Sequence, residues 1–274
     1  RRFESCRAHH FPRDSAVPEF VSLEFLPADI DATAAVALVA ATFIGNIISG
    51  IMGVGGGIIL LAVMATLMPA AAIIPIHGIA QLGANIFRGT IQRAHIDWLT
   101  FVWFAIGSVV GVAVGGSIVV TLPPDILRAG LGLFILYAVW APRLKFVSEG
   151  NVITVFVGVA SSILTMFFGA TGPFAMALLS QRGYTPQGLV GTHSACMGAQ
   201  HGLKIVVFGI LGFAFSEWLG LVAMLLLASL AGSLIGSYAL RRISAGAYAI
   251  VLKVILTALA ANLLAVAFGI YSIT

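Results

Sequence analysis

Residues 98–121, WLTFVWFAIGSVVGVAVGGSIVVT, pass without one charged side chain. Wound as an α-helix rising 1.5 Å per residue, that stretch exceeds the roughly 30 Å hydrocarbon core of a bilayer. Comparable apolar runs cover residues 34–52, 73–92, 126–140, 151–168, 187–208, 218–240 and 245–270, with two shorter runs at 58–68 and 174–180. Only 9% of the side chains are charged, against about 25% in soluble domains. The chain therefore reads as an all-α polytopic membrane protein, with about 8 transmembrane helices and two short broken or re-entrant half-helices.

The formal net charge of +4 comes from basic residues set mostly at the ends of apolar runs, where they orient a membrane protein rather than grip nucleic acid. Two cysteines, Cys6 and Cys196, give neither a disulfide framework nor a metal spacing. The opening RRFESCRAHHFPRD is basic and has no hydrophobic core, so it is no signal peptide. Phe3-Glu4-Ser5 is one reading frame of TTC-GAA-TCC in the T-arm of a transfer-RNA gene. Residues 1–30 are accordingly expected to be a gene-start artefact or a disordered tail.

After the polar segment PRLKFVSEGN the order of long and short runs restarts. A constant offset of 116 residues takes Gly53 to Gly169, Gly56 to Gly172, His77 to His193 and Arg88 to Lys204. At an offset of 120, Asp97-Trp98 answers Glu217-Trp218, which places four extra residues in the loop GILGFAFS. Gly111-x-x-x-Gly115 similarly answers Gly232-x-x-x-Gly236, and small residues four apart let helices approach closely in lipid. Rare polar residues repeating in register predict two homologous halves, a first membrane repeat at 31–145 and a second at 146–274.

Each half carries a glycine-rich interruption, GVGGG at Gly53 to Gly57 and GATGP at Gly169 to Pro173. Neither is a nucleotide loop. Ile58 stands where the dinucleotide fingerprint needs its third glycine, and no Lys-Ser or Lys-Thr follows as a phosphate loop requires. Broken helices are tolerated in a bilayer where their freed backbone groups are buried or line a cavity. In carriers such breaks recur in both halves, with half-helix N-termini facing anionic groups. Gly53, Gly55, Gly56, Gly57, Gly169, Thr171 and Gly172 are therefore candidate substrate-binding residues.

Ionisable side chains inside a membrane are costly and mark function. His77, Gln81, Asn85 and Arg88 share one helical face, and His193, Met197, His201 and Lys204 repeat it, flanked by Thr192, Ser194 and Gln200. Imidazole, amide and hydroxyl donors with a cation and no carboxylate suit an oxyanion. His77, Gln81, Asn85, Thr192, His193, Gln200 and His201 are read as substrate-binding, and Arg88 and Lys204 as charge or gating residues, unless these two snorkel to the headgroups. Histidines at such positions also allow protons as the coupling ion. Asp97 and Glu217, each beside a tryptophan at a span end, read as belt and loop residues. No nucleophile, base and orienter set is present, so no enzyme, metal or cofactor is expected.

With GVGGG, HIDW, GVAVGG, LPPDILRAGLGLFILY, FFGATGP and VGTHSACMGAQHGLK in this order, the chain resembles the TauE/SafE sulfite exporter family, also called the toluene sulfonate uptake permeases. Where that family commonly has Gly-Thr-Ser after the short half-helix, this chain has Gly191-Thr192-His193 and Pro75-Ile76-His77. The resemblance implies a multi-pass permease of the bacterial inner membrane, moving sulfite, an organosulfonate or a related small sulfur anion. A passive anion channel, or a permease for another small organic anion, is the alternative. If each short run crosses with its partner, the halves are inverted, and Arg93, Arg143, Lys145, Arg182, Arg241 and Arg242 share one side against Arg128. If the short runs do not cross, the halves are parallel.

Overall fold

The computed structural model describes residues 26–119, 124–140 and 150–239, with isolated positions 257, 261, 264, 265 and 268. Apart from those isolated positions, the last apolar run, 245–270, thus lies outside the described residues, as do the charges at Arg143, Lys145, Arg241 and Arg242 and most of the expected tail. Every regular element among the described residues is helical: α1 Ala32–Met52, α2 Gly56–Leu67, α3 Ala70–Ile91, α4 Trp98–Val119, α5 Pro124–Trp140, α6 Asn151–Phe168, α7 Gly172–Leu179, α8 Pro186–Ile210 and α9 Leu219–Ala239. Five are long and apolar enough to cross a membrane: α1, α3, α4, α6 and α9 with the short turn before it.

Residues 26–30, the end of the segment expected to be a tail, instead fold onto the bundle. The Ile30 N–H donates to Pro27 O, Ile30 is buried beside Leu38, and Leu26 packs against the same cluster. Asp31 then caps α1 by accepting from the Ala34 N–H at 2.7 Å.

Both interruptions are real breaks in the helical backbone. α1 stops at Gly53, whose φ of 78° is left-handed, and Gly55 at φ 114° precedes α2; α6 stops at Gly169, φ 73°, ahead of α7. Only glycine enters that region without a steric penalty. Pro173 sits in the first turn of α7, where its missing N–H costs no helical bond.

The packing pairs helices across the chain. α4 lies along α6, and α1 along α9, while α3 and α8 meet between them. A Cβ on Gly111 would overlap the Val159 carbonyl, and one on Gly232 or Gly236 the Phe43 or Ile47 carbonyl. The small-residue pairs therefore seat backbone directly on backbone, each against the helix that runs into a break. α3 and α8, held between these pairs, bury polar side chains that lipid would not accept.

Candidate functional site

The two breaks and the two polar stripes meet at one cavity. It is lined by Gly53, Gly55, Gly57, His77, Gln81, Asn85 and Arg88 from the first part of the chain, and by Gly172, His193 and His201 from the second. Its volume is about 30 Å³. One water needs roughly 10–15 Å³ on this measure, so the space suits a small guest.

Each cavity histidine reaches from a long helix to the start of a short one. His77 Nε2 donates to Gly57 O at 2.9 Å, and His193 Nε2 to Gly172 O at 3.1 Å. A carbonyl can only accept, so both rings carry hydrogen at Nε2. Their Nδ1 atoms are buried with no partner among the described residues, as is Nδ1 of His201, whose ring meets that of His77 edge-on with centroids 5.9 Å apart. The helical period placed these residues on one face. The short helices supply the carbonyls that orient them.

Arg88 and Lys204 do not snorkel: they are 2% and 0% exposed. Arg88 donates to Asn46 Oδ1 at 2.6 Å and to Asn85 Oδ1 at 2.9 Å. Two amide oxygens thus hold the guanidinium at the cavity wall while leaving its charge uncancelled. Lys204 is set back from the cavity, with its Nζ 3.3 Å from Gly169 O and its stem against Gly78.

Several expected binding residues brace the wall instead of lining it. Gly56 is pressed against Gly45, and its N–H donates to Ser49 Oγ at 2.9 Å. Thr171 donates to Ser161 O at 3.0 Å, and Gln200 Nε2 donates to both Ser161 O and Thr171 Oγ1. Gly169 accepts from Thr165 as well as Lys204. Thr192 Oγ1 accepts from the Asp97 N–H, tying α8 to the loop before α4. Ser49, Val54, Ile58, Ala170, Pro173 and Met197 complete the lining. Of these, Met197 was visible on the stripe, and the others flank the breaks closely enough that the glycine positions point to them.

Outside the cavity, Asp97 caps α4 through the N–H groups of Leu99 and Thr100 and accepts from the Tyr184 hydroxyl. Partial burial would raise its carboxyl, but the hydrogen bonds from Tyr184, Thr100 and Leu99 outweigh that and hold it below the usual range. Arg182 joins the same cluster through Thr100 and Thr154. The second tryptophan departs from a belt position: Trp218 is buried, stacked near Phe213, while Trp98 is exposed. Trp218 joins the buried apolar cluster, with Phe213 and Phe215 of the longer loop packed against it.

Among the described residues, no three His, Cys, Asp or Glu side chains gather where a metal ion could sit. A multi-pass helical protein whose paired helix breaks enclose a polar, cationic cavity belongs to the membrane transporters. More narrowly, the chain belongs to the sulfite exporter TauE/SafE family, whose model matches residues 37–263. No curated protein and no solved structure matches it.

Proposed function

We propose that the protein is a secondary transporter of the inner membrane that moves a small sulfur-containing oxyanion, sulfite or a compact organosulfonate, through the cavity between the two glycine breaks. The observation that carries this reading is Arg88: a buried cation held by two neutral amides at the wall of a cavity with no carboxylate among its described lining residues. Such a charge lacks a counter-ion until an anion arrives. Family membership supports the sulfur anion, and the cavity volume supports a small one.

On this reading the chain is two repeats, with about eight full spans and two half-helices. The matched pairings α1 with α9 and α4 with α6, and the matched bonds from His77 and His193 to half-helix carbonyls, support the duplication. Inverted halves would place the breaks symmetrically near the membrane midplane.

The test is anion flux in proteoliposomes. Gly172→Val, which fills the space beside His193 and Val54, is expected to abolish sulfite flux while the protein remains folded by circular dichroism. Undiminished flux would remove the cavity from the pathway. Flux that responds to an imposed proton gradient marks a proton-coupled carrier, and flux indifferent to it a passive channel.

A further inference from the structure

The hydrogen-bond direction at the two cavity histidines restricts what the cavity accepts. Because Gly57 O and Gly172 O each fix hydrogen on Nε2, a neutral ring at His77 or His193 presents Nδ1 as a lone pair. Both Nδ1 atoms are buried with no partner among the described residues, and both residues line the cavity. A fully deprotonated oxyanion also offers only lone pairs, so one seated against either ring edge would meet its Nδ1 acceptor to acceptor. An oxyanion that still carries an acidic hydrogen donates it to Nδ1, while its remaining oxygens face Arg88.

The groups around the pair do not change this count. α3 contributes Arg88, α8 contributes His201 and Lys204, and the cavity-lining residues of α1, α2 and α7 include none that titrate. Cys196 packs instead with Phe104 and Val157. No carboxylate among these lining residues stands ready to balance a second proton on either imidazole.

We propose that the cavity selects oxyanions bearing an acidic hydrogen, such as hydrogen sulfite, with Nδ1 of His77 or His193 accepting that hydrogen. Proton-free anions of similar size, sulfate and methanesulfonate, are discriminated against. The inference rests on the anion-transport reading above and narrows its substrate class. No covalent step is involved, and the hydrogen enters and leaves with its anion.

The experiment is calorimetric binding of sulfite, sulfate and methanesulfonate to the purified full-length protein between acid and mildly alkaline pH. Sulfite affinity is expected to fall about tenfold per pH unit above the second ionisation of sulfurous acid, as linkage of one proton to binding requires. Sulfate and methanesulfonate should bind at least about tenfold more weakly than hydrogen sulfite at acid pH. His77→Gln and His193→Gln, which can keep an amide N–H on the glycine carbonyl but exchange Nδ1 for a displaced and far less basic amide oxygen, should narrow that discrimination and flatten the pH profile. Methanesulfonate binding as tightly as sulfite at acid pH, or sulfite affinity that rises with pH, would overturn the selection while leaving anion transport standing. Absence of binding by all three anions would overturn the transport reading and this inference together. If a glutamine variant does not fold, the wild-type comparison of the three anions decides alone.

Discussion

Gly56 and Gly172 occupy the same place in the two halves of the sequence and do different work in the structure. Gly56 is clamped against the α1 backbone at Gly45, whereas a Cβ on Gly172 would meet only the side chains of Val54 and His193, at 3.3 and 3.4 Å. The cations diverge in the same way. Arg88 stands at the cavity wall on two amide oxygens, while Lys204 is withdrawn to the carbonyl of Gly169 at the turn of the second break. Both breaks line the cavity, but the first packs its Gly56 against backbone and sets its cation at the wall, whereas the second leaves Gly172 at the wall and sets its cation behind it. On the proposed duplication, the parts come in register and divergence divides binding from bracing.

The largest expected effect breaks the glycine comparison. Gly56→Ala drives a methyl into the Gly45 carbonyl, and backbone cannot yield as a side chain end can, so a loss of at least about 3 kcal/mol is expected. Gly172→Ala should fold normally, because its tightest contact is a side-chain methyl of Val54 at 3.3 Å, which can yield by a few tenths of an ångström where backbone cannot. Thermal unfolding of the two variants side by side measures the difference, and equal stability would erase the contrast.

Next come the cations. Arg88→Met removes charge-assisted bonds worth about 1.5–3 kcal/mol to a bound anion, or roughly 10- to 100-fold in affinity. Lys204→Met should leave affinity within about threefold and change stability little, since losing the bond to Gly169 O offsets the relief of a buried charge. Titration of sulfite into each variant checks this. A larger loss at Lys204 than at Arg88 would reverse the assignment of binding and bracing.

The smallest effect contrasts Asp97 with Glu217. Asp97→Ala should cost about 1 kcal/mol through the lost helix cap, whereas exposed Glu217→Ala should fall within about 0.5 kcal/mol of wild type. The Asp97 carboxyl is held below its ordinary value of 3.8. Its contribution is therefore full above about pH 4 and lost as pH falls through the lower folded value. Acid unfolding curves of wild type and Asp97→Ala should converge at low pH and separate above it.

The breaks were legible because glycine is the residue that leaves a helix left-handed, and GVGGG and GATGP stand where Gly53, Gly55 and Gly169 do so. The sharing of a face by His77, Gln81, Asn85 and Arg88 was legible from helical period, and all four line the cavity. Depth was not. A period of 3.6 cannot say that Gln200 turns to Ser161 and Thr171, or that Lys204 ends at a carbonyl behind the wall. Those outcomes depend on which neighbour presents an acceptor, and that is fixed by packing between distant segments. The cluster of Asp97, Thr100, Arg182 and Tyr184 escaped for the same reason, since its members lie on separate segments.

α8 carries a consequence for how the chain is made. At 25 residues it is the longest described helix, yet it is not among the five apolar enough to cross a membrane by composition. Such a helix has little tendency to leave the insertion machinery for lipid by itself. α3, the other bearer of a polar stripe, does meet that standard. In chain order α3 is synthesised early, and α8 emerges only after α3, α4 and α6 exist to receive it. The longest polar-striped helix thus emerges only after three of the helices that receive it, and ahead of α9, so biogenesis of the cavity follows the order of the genetic text.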